Sequence, residues 1–164
     1  RVALVGLDIR KPMLATYMEL PNQGCLTSYI AEDSYTLEDV IIPSGITNLD
    51  ILPSGVVPPN PSELLQSEKL DQLFAELRQR YDYVIVDSAP VAMVGDSYLL
   101  QRLVDMTIYV TRANYTTYEL VEFINQTHMQ ERLPKMVAVL NGVEAKNIGY
   151  GYGYGYGNAT KNKK

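Results

Sequence analysis

The sequence predicts an α/β fold: a mostly parallel sheet with helices on both faces. Three observations lead there. Its strand-like runs are short and almost wholly apolar, as in strands buried on both faces of a parallel sheet. They alternate with stretches of helical periodicity, the pattern of repeated strand–helix–strand units. No linker or repeat divides the body of the chain, and 164 residues suffice for one domain with a proper core.

Val2 to Leu7 is the first such run. Pro12 follows, placed to open a helix through Met13 to Glu19. Short helices are expected near 26–30 and 37–42. A second strand at Leu49-Asp-Ile-Leu52 is closed by Pro53-Ser-Gly55, and Val56-Val-Pro-Pro-Asn-Pro-Ser62 makes a rigid connection. Leu70, Leu73, Phe74, Leu77 and Tyr81 then recur at spacings of three and four, with Ser67 and Glu68 at the helix start. Tyr83-Val-Ile-Val86 is the third strand, followed by a helix over about 96–103 and a fourth strand at Met106 to Val110. Thr116 and Glu119 form a capping-box pattern for a helix reaching about Glu131. Met136 to Leu140 is the last strand.

Bulk composition excludes several functions. A formal net charge of −5 argues against general affinity for nucleic acid or anionic membrane. The single cysteine, Cys25, cannot form an internal disulfide and fits a reducing compartment. His128 is the only histidine, which argues against a zinc site or a Ser/His triad. No apolar run is long enough to cross a bilayer and no signal-peptide pattern occurs. The chain opens on Arg1 directly before an apolar run, as if cut through the start of a strand, and is expected to be a fragment of something longer.

The ends of the strands and the end of the chain carry most of the functional information. Ligands of open α/β sheets bind beyond the carboxyl ends of the strands. There the first strand gives Asp8-Ile-Arg10-Lys11-Pro12, the third Asp87-Ser-Ala-Pro90 and the last Asn141-Gly142. Two acids at equivalent strand ends suit a hydrated Mg²⁺ that bridges substrate phosphates, although either alone would read as a turn or helix-cap residue. At the end of the chain, Tyr150, Tyr152, Tyr154 and Tyr156 alternate with glycines and precede a polar, basic terminus. Glycine weakens strands and costs most to order. Residues 150–164 are therefore expected to be a flexible tail appended to a domain over 1–149. The phenols suit a substrate for modification at tyrosine; a tail with no chemistry remains the alternative.

Together these segments resemble the catalytic domain of the bacterial tyrosine kinases. Val84-Ile-Val-Asp87-Ser-Ala-Pro90 resembles that family's Walker B motif, and Leu4-Val-Gly-Leu-Asp8-Ile-Arg10-Lys-Pro12 its Walker A′ motif. Pro58-Pro-Asn-Pro-Ser-Glu-Leu-Leu65 resembles the connection between them, and the terminal tyrosines the family's autophosphorylated cluster. The resemblance implies a P-loop NTPase fold that transfers phosphate from ATP to tyrosine with Mg²⁺. It gives Asp87 and Asp8 to the metal, Asp8 also to the incoming phenol, and Asn141 to the adenine. Arg10 would donate to phosphate or across a subunit contact, or else pair with Asp8 or another nearby acid.

It further implies a homo-oligomeric ring with tails phosphorylated between subunits, at the cytoplasmic face of the bacterial inner membrane. A membrane activator (a polysaccharide co-polymerase domain) and the machinery exporting capsular or exopolysaccharide would be its partners.

Two departures stand out. Gly6 occupies the position of the first acid of Walker A′, and no G-x-x-x-x-G-K-S/T loop occurs in the sequence. That loop would lie upstream, so the P-loop strand and helix are expected to be missing and the fragment inactive alone. Two rival readings stay open. A partition- or division-type ATPase would not need a tyrosine cluster, whereas a non-catalytic adaptor of the same fold would tolerate Gly6.

Overall fold

The computed structural model describes residues 1–20 and 24–144. Tyr150, Tyr152, Tyr154 and Tyr156 lie outside the described residues. The elements run β1 (Val2–Gly6), α1 (Leu14–Tyr17), α2 (Leu26–Ala31), α3 (Leu37–Val40), β2 (Ile42–Pro43), β3 (Leu49–Leu52) and α4 (Pro61–Leu65). Then come α5 (Glu68–Arg80), β4 (Tyr83–Asp87), α6 (Asp96–Leu99), β5 (Ile108–Arg112), α7 (Tyr118–Met129) and β6 (Val137–Asn141).

β1 is an interior strand of a four-stranded sheet ordered β2-β3-β1-β4. It pairs in parallel with β3, Val2 opposite Leu49, and with β4, Val2 opposite Tyr83 through Gly6 opposite Asp87. Only β2 runs antiparallel, against β3. Interior position explains the unbroken apolar sequence of β1: Ala3 and Val5 are completely buried. Leu70, Leu73, Phe74 and Leu77, one stripe of α5, join the same core. The Ser67 hydroxyl caps that helix by accepting from the Leu70 N–H at 3.3 Å. After β3 the chain turns at Gly55, whose φ of +91° favours glycine. A Cβ there would also meet the Cys25 Sγ at 2.2 Å, so the close approach of the two segments depends on the missing side chain.

β5 and β6 form a separate parallel pair, Ile108 opposite Val137 through Arg112 opposite Asn141. Between β4 and β5 the ladder is interrupted. A cavity of about 700 Å³ lies there, lined among others by Phe74, Tyr83, Ile85, Ile108, Val110 and Leu133. Tyr83 and Ile85 on β4, with Ile108 and Val110 on β5, are each more than half exposed. Two neighbouring strands thus turn unpaired, apolar edges toward one slot.

Several local expectations are corrected. The helix start at 116–119 moves by one residue: Thr117 caps α7 through the Leu120 N–H, while the Thr116 hydroxyl accepts from the Arg112 N–H at 2.9 Å and closes the preceding turn. Two adjacent threonines compete for one cap, and the spacing to Glu119 does not decide between them. A reciprocal capping box does occur at Thr36 and Asp39. β5 and β6 each end beyond the expected last residue, at Arg112 and Asn141. The helix expected over 96–103 is regular only from Asp96 to Leu99, and the proline-rich connection ends in its own short helix, α4.

Candidate active site at the ends of β1 and β4

The end-to-end register of β1 and β4 places Asp8 and Asp87 together. The Asp87 carbonyl accepts hydrogen bonds from both the Leu7 N–H (2.7 Å) and the Asp8 N–H (3.1 Å), continuing the ladder past its last paired residues. The chain then turns around the Asp8 side chain. Its Oδ1 accepts from the Arg10 N–H at 3.2 Å and the Lys11 N–H at 2.9 Å, while Oδ2 has no partner among the described residues. The Asp87 carboxylate likewise accepts no hydrogen bond from them. Asp87 retains substantial solvent exposure, yet desolvation by the surrounding chain, then the charge of Asp8, raises its pKa. Two adjacent acids with free oxygens and one raised pKa invite a cation. Among the described residues no group of three or more His, Cys, Asp or Glu could hold a metal. The pair therefore fits an ion that keeps much of its water, as Mg²⁺ does, and not a caged one.

Arg10 does not point at this opening alone. Its guanidinium is paired with Asp96 at the start of α6: Nε donates to Oδ2, and Nη2 donates to Oδ1 at 3.2 Å. The Ser62 hydroxyl accepts from Nη2 at 3.3 Å and donates to Asp96 Oδ1 at 3.1 Å. Arg10 and Ser62 hold the Asp96 carboxyl below the ordinary carboxylate range, against the opposing effect of burial. Asp96 and Ser62 went unrecognised in the sequence because one resembles a helix-start acid and the other a helix-start serine. Neither spacing signals that they meet.

Gly6 is enclosed. A Cβ built on it would lie 2.6 Å from the Ser54 Oγ and 3.3 Å from the Leu14 Cδ2, so an acid cannot be accommodated there without displacing its neighbours. Asn141 is not brought to the two acids; it ends β6, on the other side of the slot. Its Oδ1 accepts from the Gly142 N–H at 2.8 Å, with Gly142 at φ +69°.

A largely parallel sheet with acids at the ends of neighbouring strands gives the class: an α/β fold of the P-loop NTPase type. The septum site-determining protein MinD from Pyrococcus horikoshii, solved with Mg-ADP, shares this fold at a TM-score of 0.63 and 18% identity. The chain belongs to the bacterial tyrosine kinases. It is 33% identical to the VpsO kinase domain, covering 87% of this chain and 70% of that one at a TM-score of 0.77. The kinase domain of Escherichia coli ETK matches with 32% identity over 95% of this chain and 61% of its own, at a TM-score of 0.80.

Among curated relatives, tyrosine-protein kinase Wzc of Salmonella typhi is 34% identical over 150 residues, 92% of this chain and 21% of Wzc. YwqD of Bacillus subtilis is 33% identical over 142 residues, 87% of this chain and 60% of YwqD. The chain thus spans about a fifth and three fifths of these relatives. No family model matches it. No helix among the described residues is long and apolar enough to cross a membrane.

Proposed function

We propose that this chain is the later part of the catalytic domain of an ATP-dependent protein-tyrosine autokinase that regulates synthesis and export of capsular or exopolysaccharide. The observation that carries the reading is the side-by-side placement of Asp8 and Asp87, each with an unengaged carboxylate oxygen, at the ends of two paired parallel strands. Mg²⁺, when bound, supplies charge neutralisation across the transferred phosphoryl group. Asp87 would hold it, and Asp8 Oδ2, which has no partner among the described residues, would be open to the ion and to the hydroxyl of an incoming phenol. Two backbone N–H groups fix the other oxygen of Asp8, so the carboxylate is oriented before the phenol arrives. Nη1 of Arg10 has no partner among the described residues and is the atom left to donate to phosphate. The side-chain NH₂ of Asn141 would similarly serve adenine.

On this reading the phosphate-cradling loop comes from an upstream segment whose strand seats in the slot between β4 and β5. Residues 1–164 alone would then not catalyse. The domain is taken as residues 1–149 and the tail as 150–164. Tyr150, Tyr152, Tyr154 and Tyr156 are the acceptors, entering a neighbouring subunit's site in a ring beside a membrane activator at the cytoplasmic face of the inner membrane. Each phosphate adds about −1.5 to −2 charges, so modified tails would repel the acidic site and loosen the ring.

The test mixes complete kinase lacking its tail with complete Asp87→Asn protein and maps phosphotyrosine by mass spectrometry. Phosphate is expected on the inactive partner's tail, with Asp87→Asn and Asp8→Asn each unlabelled when alone. Near-normal self-labelling of Asp87→Asn would remove the metal role. Phosphate on no tail, with ATP still hydrolysed by the wild type, would favour a switch ATPase; loss of both activities would favour the adaptor, the reading that Gly6 supports.

A further inference from the structure

We propose that Asp96 is a positioning residue for the two site acids, acting through Arg10 and together with its neighbour Ser97; the proposal rests on the kinase reading of Asp8 and Asp87. Three segments distant in sequence meet at Asp96: the turn after β1, through Arg10; the start of α4, through Ser62; and α6 itself. The fork of two guanidinium N–H groups on two carboxylate oxygens is directional and charge-assisted, so it sets an orientation as well as a distance. Arg10 is also one of the two residues whose backbone N–H holds Asp8 Oδ1. Asp96 therefore reaches Asp8 through a single intervening residue.

The next residue serves the other acid. The buried Ser97 hydroxyl donates to the Ala89 carbonyl at 2.5 Å, two residues beyond Asp87. Consecutive residues at the start of α6 thus hold the two acid-bearing loops, one each. The side chain of Asp96 is only 11% exposed, so its charge depends on these partners and loses them at a cost. Asp96 touches neither acid, which separates its role from theirs. Loops held in this way fix where Asp8 and Asp87 stand relative to each other.

The test uses the complete kinase with Asp96→Asn, Arg10→Lys and the double variant. Ser62→Ala is the mild member, removing one hydroxyl from the network. Two quantities are read: autophosphorylation rate as a function of Mg²⁺ concentration, and hydrogen exchange at the Arg10 and Lys11 amides without nucleotide. Outer-sphere partners of metal ligands usually contribute about 10–100-fold in metal affinity or activity. A loss in that range, half-saturation at higher Mg²⁺, faster exchange at the two amides and a double variant no worse than the worse single are expected. Ser62→Ala should shift all readouts the same way by less.

An Asp96→Asn protein with wild-type Mg²⁺ dependence and wild-type exchange overturns the proposal, as does a double variant whose losses multiply. Should Asp96→Asn not fold, Arg10→Lys and Ser62→Ala decide on the same criteria. If the wild type itself labels no tyrosine, the kinase reading fails, while exchange at the two amides still decides whether Asp96 orders the Asp8 turn.

Discussion

The two sheet segments are built from strands of similar length and composition, but they end in opposite states. β1 and β3 bury Ala3, Val5, Ile51 and Leu52 completely, and Ala3, Val5 and Leu52 share one core with the apolar stripe of α5. In β6, every residue from Val137 to Asn141 is exposed, and α7 buries only Ile124 and Thr127. Hydrophobicity does not separate them, since Val137-Ala-Val-Leu140 is as apolar as Val2-Ala-Leu-Val5. Neighbours do. β1 has a hydrogen-bonded strand on each side, whereas among the described residues β5 and β6 pair only with each other. An apolar strand is a request for two partners and two covered faces, and among the described residues only β1 and β3 have them.

The contrast can be broken most forcefully in the core. Leu73→Ala, at a fully buried position, should lower unfolding free energy by about 2–5 kcal/mol, whereas Val139→Ala should stay within about 0.5 kcal/mol. Urea denaturation of both variants checks this; comparable losses would mean that the β5–β6 pair is closed in solution. A smaller effect separates the helices. Ser67→Ala removes a cap from α5, which is anchored in the core, and should lose about 1 kcal/mol. Thr117→Ala, whose contact with the Leu120 N–H is 3.5 Å and exposed, should lose less. Thermal melts of the two proteins order them.

A third effect is a pH dependence confined to the closed half. The Tyr81 hydroxyl donates to Asp50 Oδ2 at 2.8 Å, and burial, then that hydrogen bond, pushes its pKa from 10.0 to about 12. A raised folded-state pKa means that folding favours the protonated phenol. Its contribution is complete below pH 10.0 and is lost as the pH rises toward about 12. Tyr81→Phe should flatten that part of the stability–pH curve; an unchanged slope would assign the alkaline loss elsewhere.

The sequence shows the interior strands plainly because burial on both faces leaves an unmistakable apolar run. It shows Asp8 and Asp87 as the first acids after two apolar runs, Val2 to Leu7 and Val84 to Val86. It hides the interruption of the sheet, since Tyr83-Val-Ile-Val86 and Ile108-Tyr-Val110 look alike whether or not a strand lies between them. It hides Asp96 as well: an ion pair between Arg10 and a residue far along the chain has no periodicity to betray it. The exchange of Thr116 for Thr117 as cap turns on which hydroxyl the Arg112 N–H captures, a competition settled only once the turn has formed.

The position of β1 also bears on how the molecule comes into being. Residues 2–6 are hydrogen-bonded on one side to 49–52 and on the other to 83–87. Both ladders close long loops, and such non-local pairing is slow because loop entropy is lost before the contacts form. On a ribosome the first strand must therefore wait, apolar and unpaired on its later side, until Asp87 has left the exit tunnel. A nascent chain stopped short of that residue would present the β1 edge to any other strand nearby. Ribosome stalling anywhere before β4 should consequently be a far more aggregation-prone event than stalling within α7.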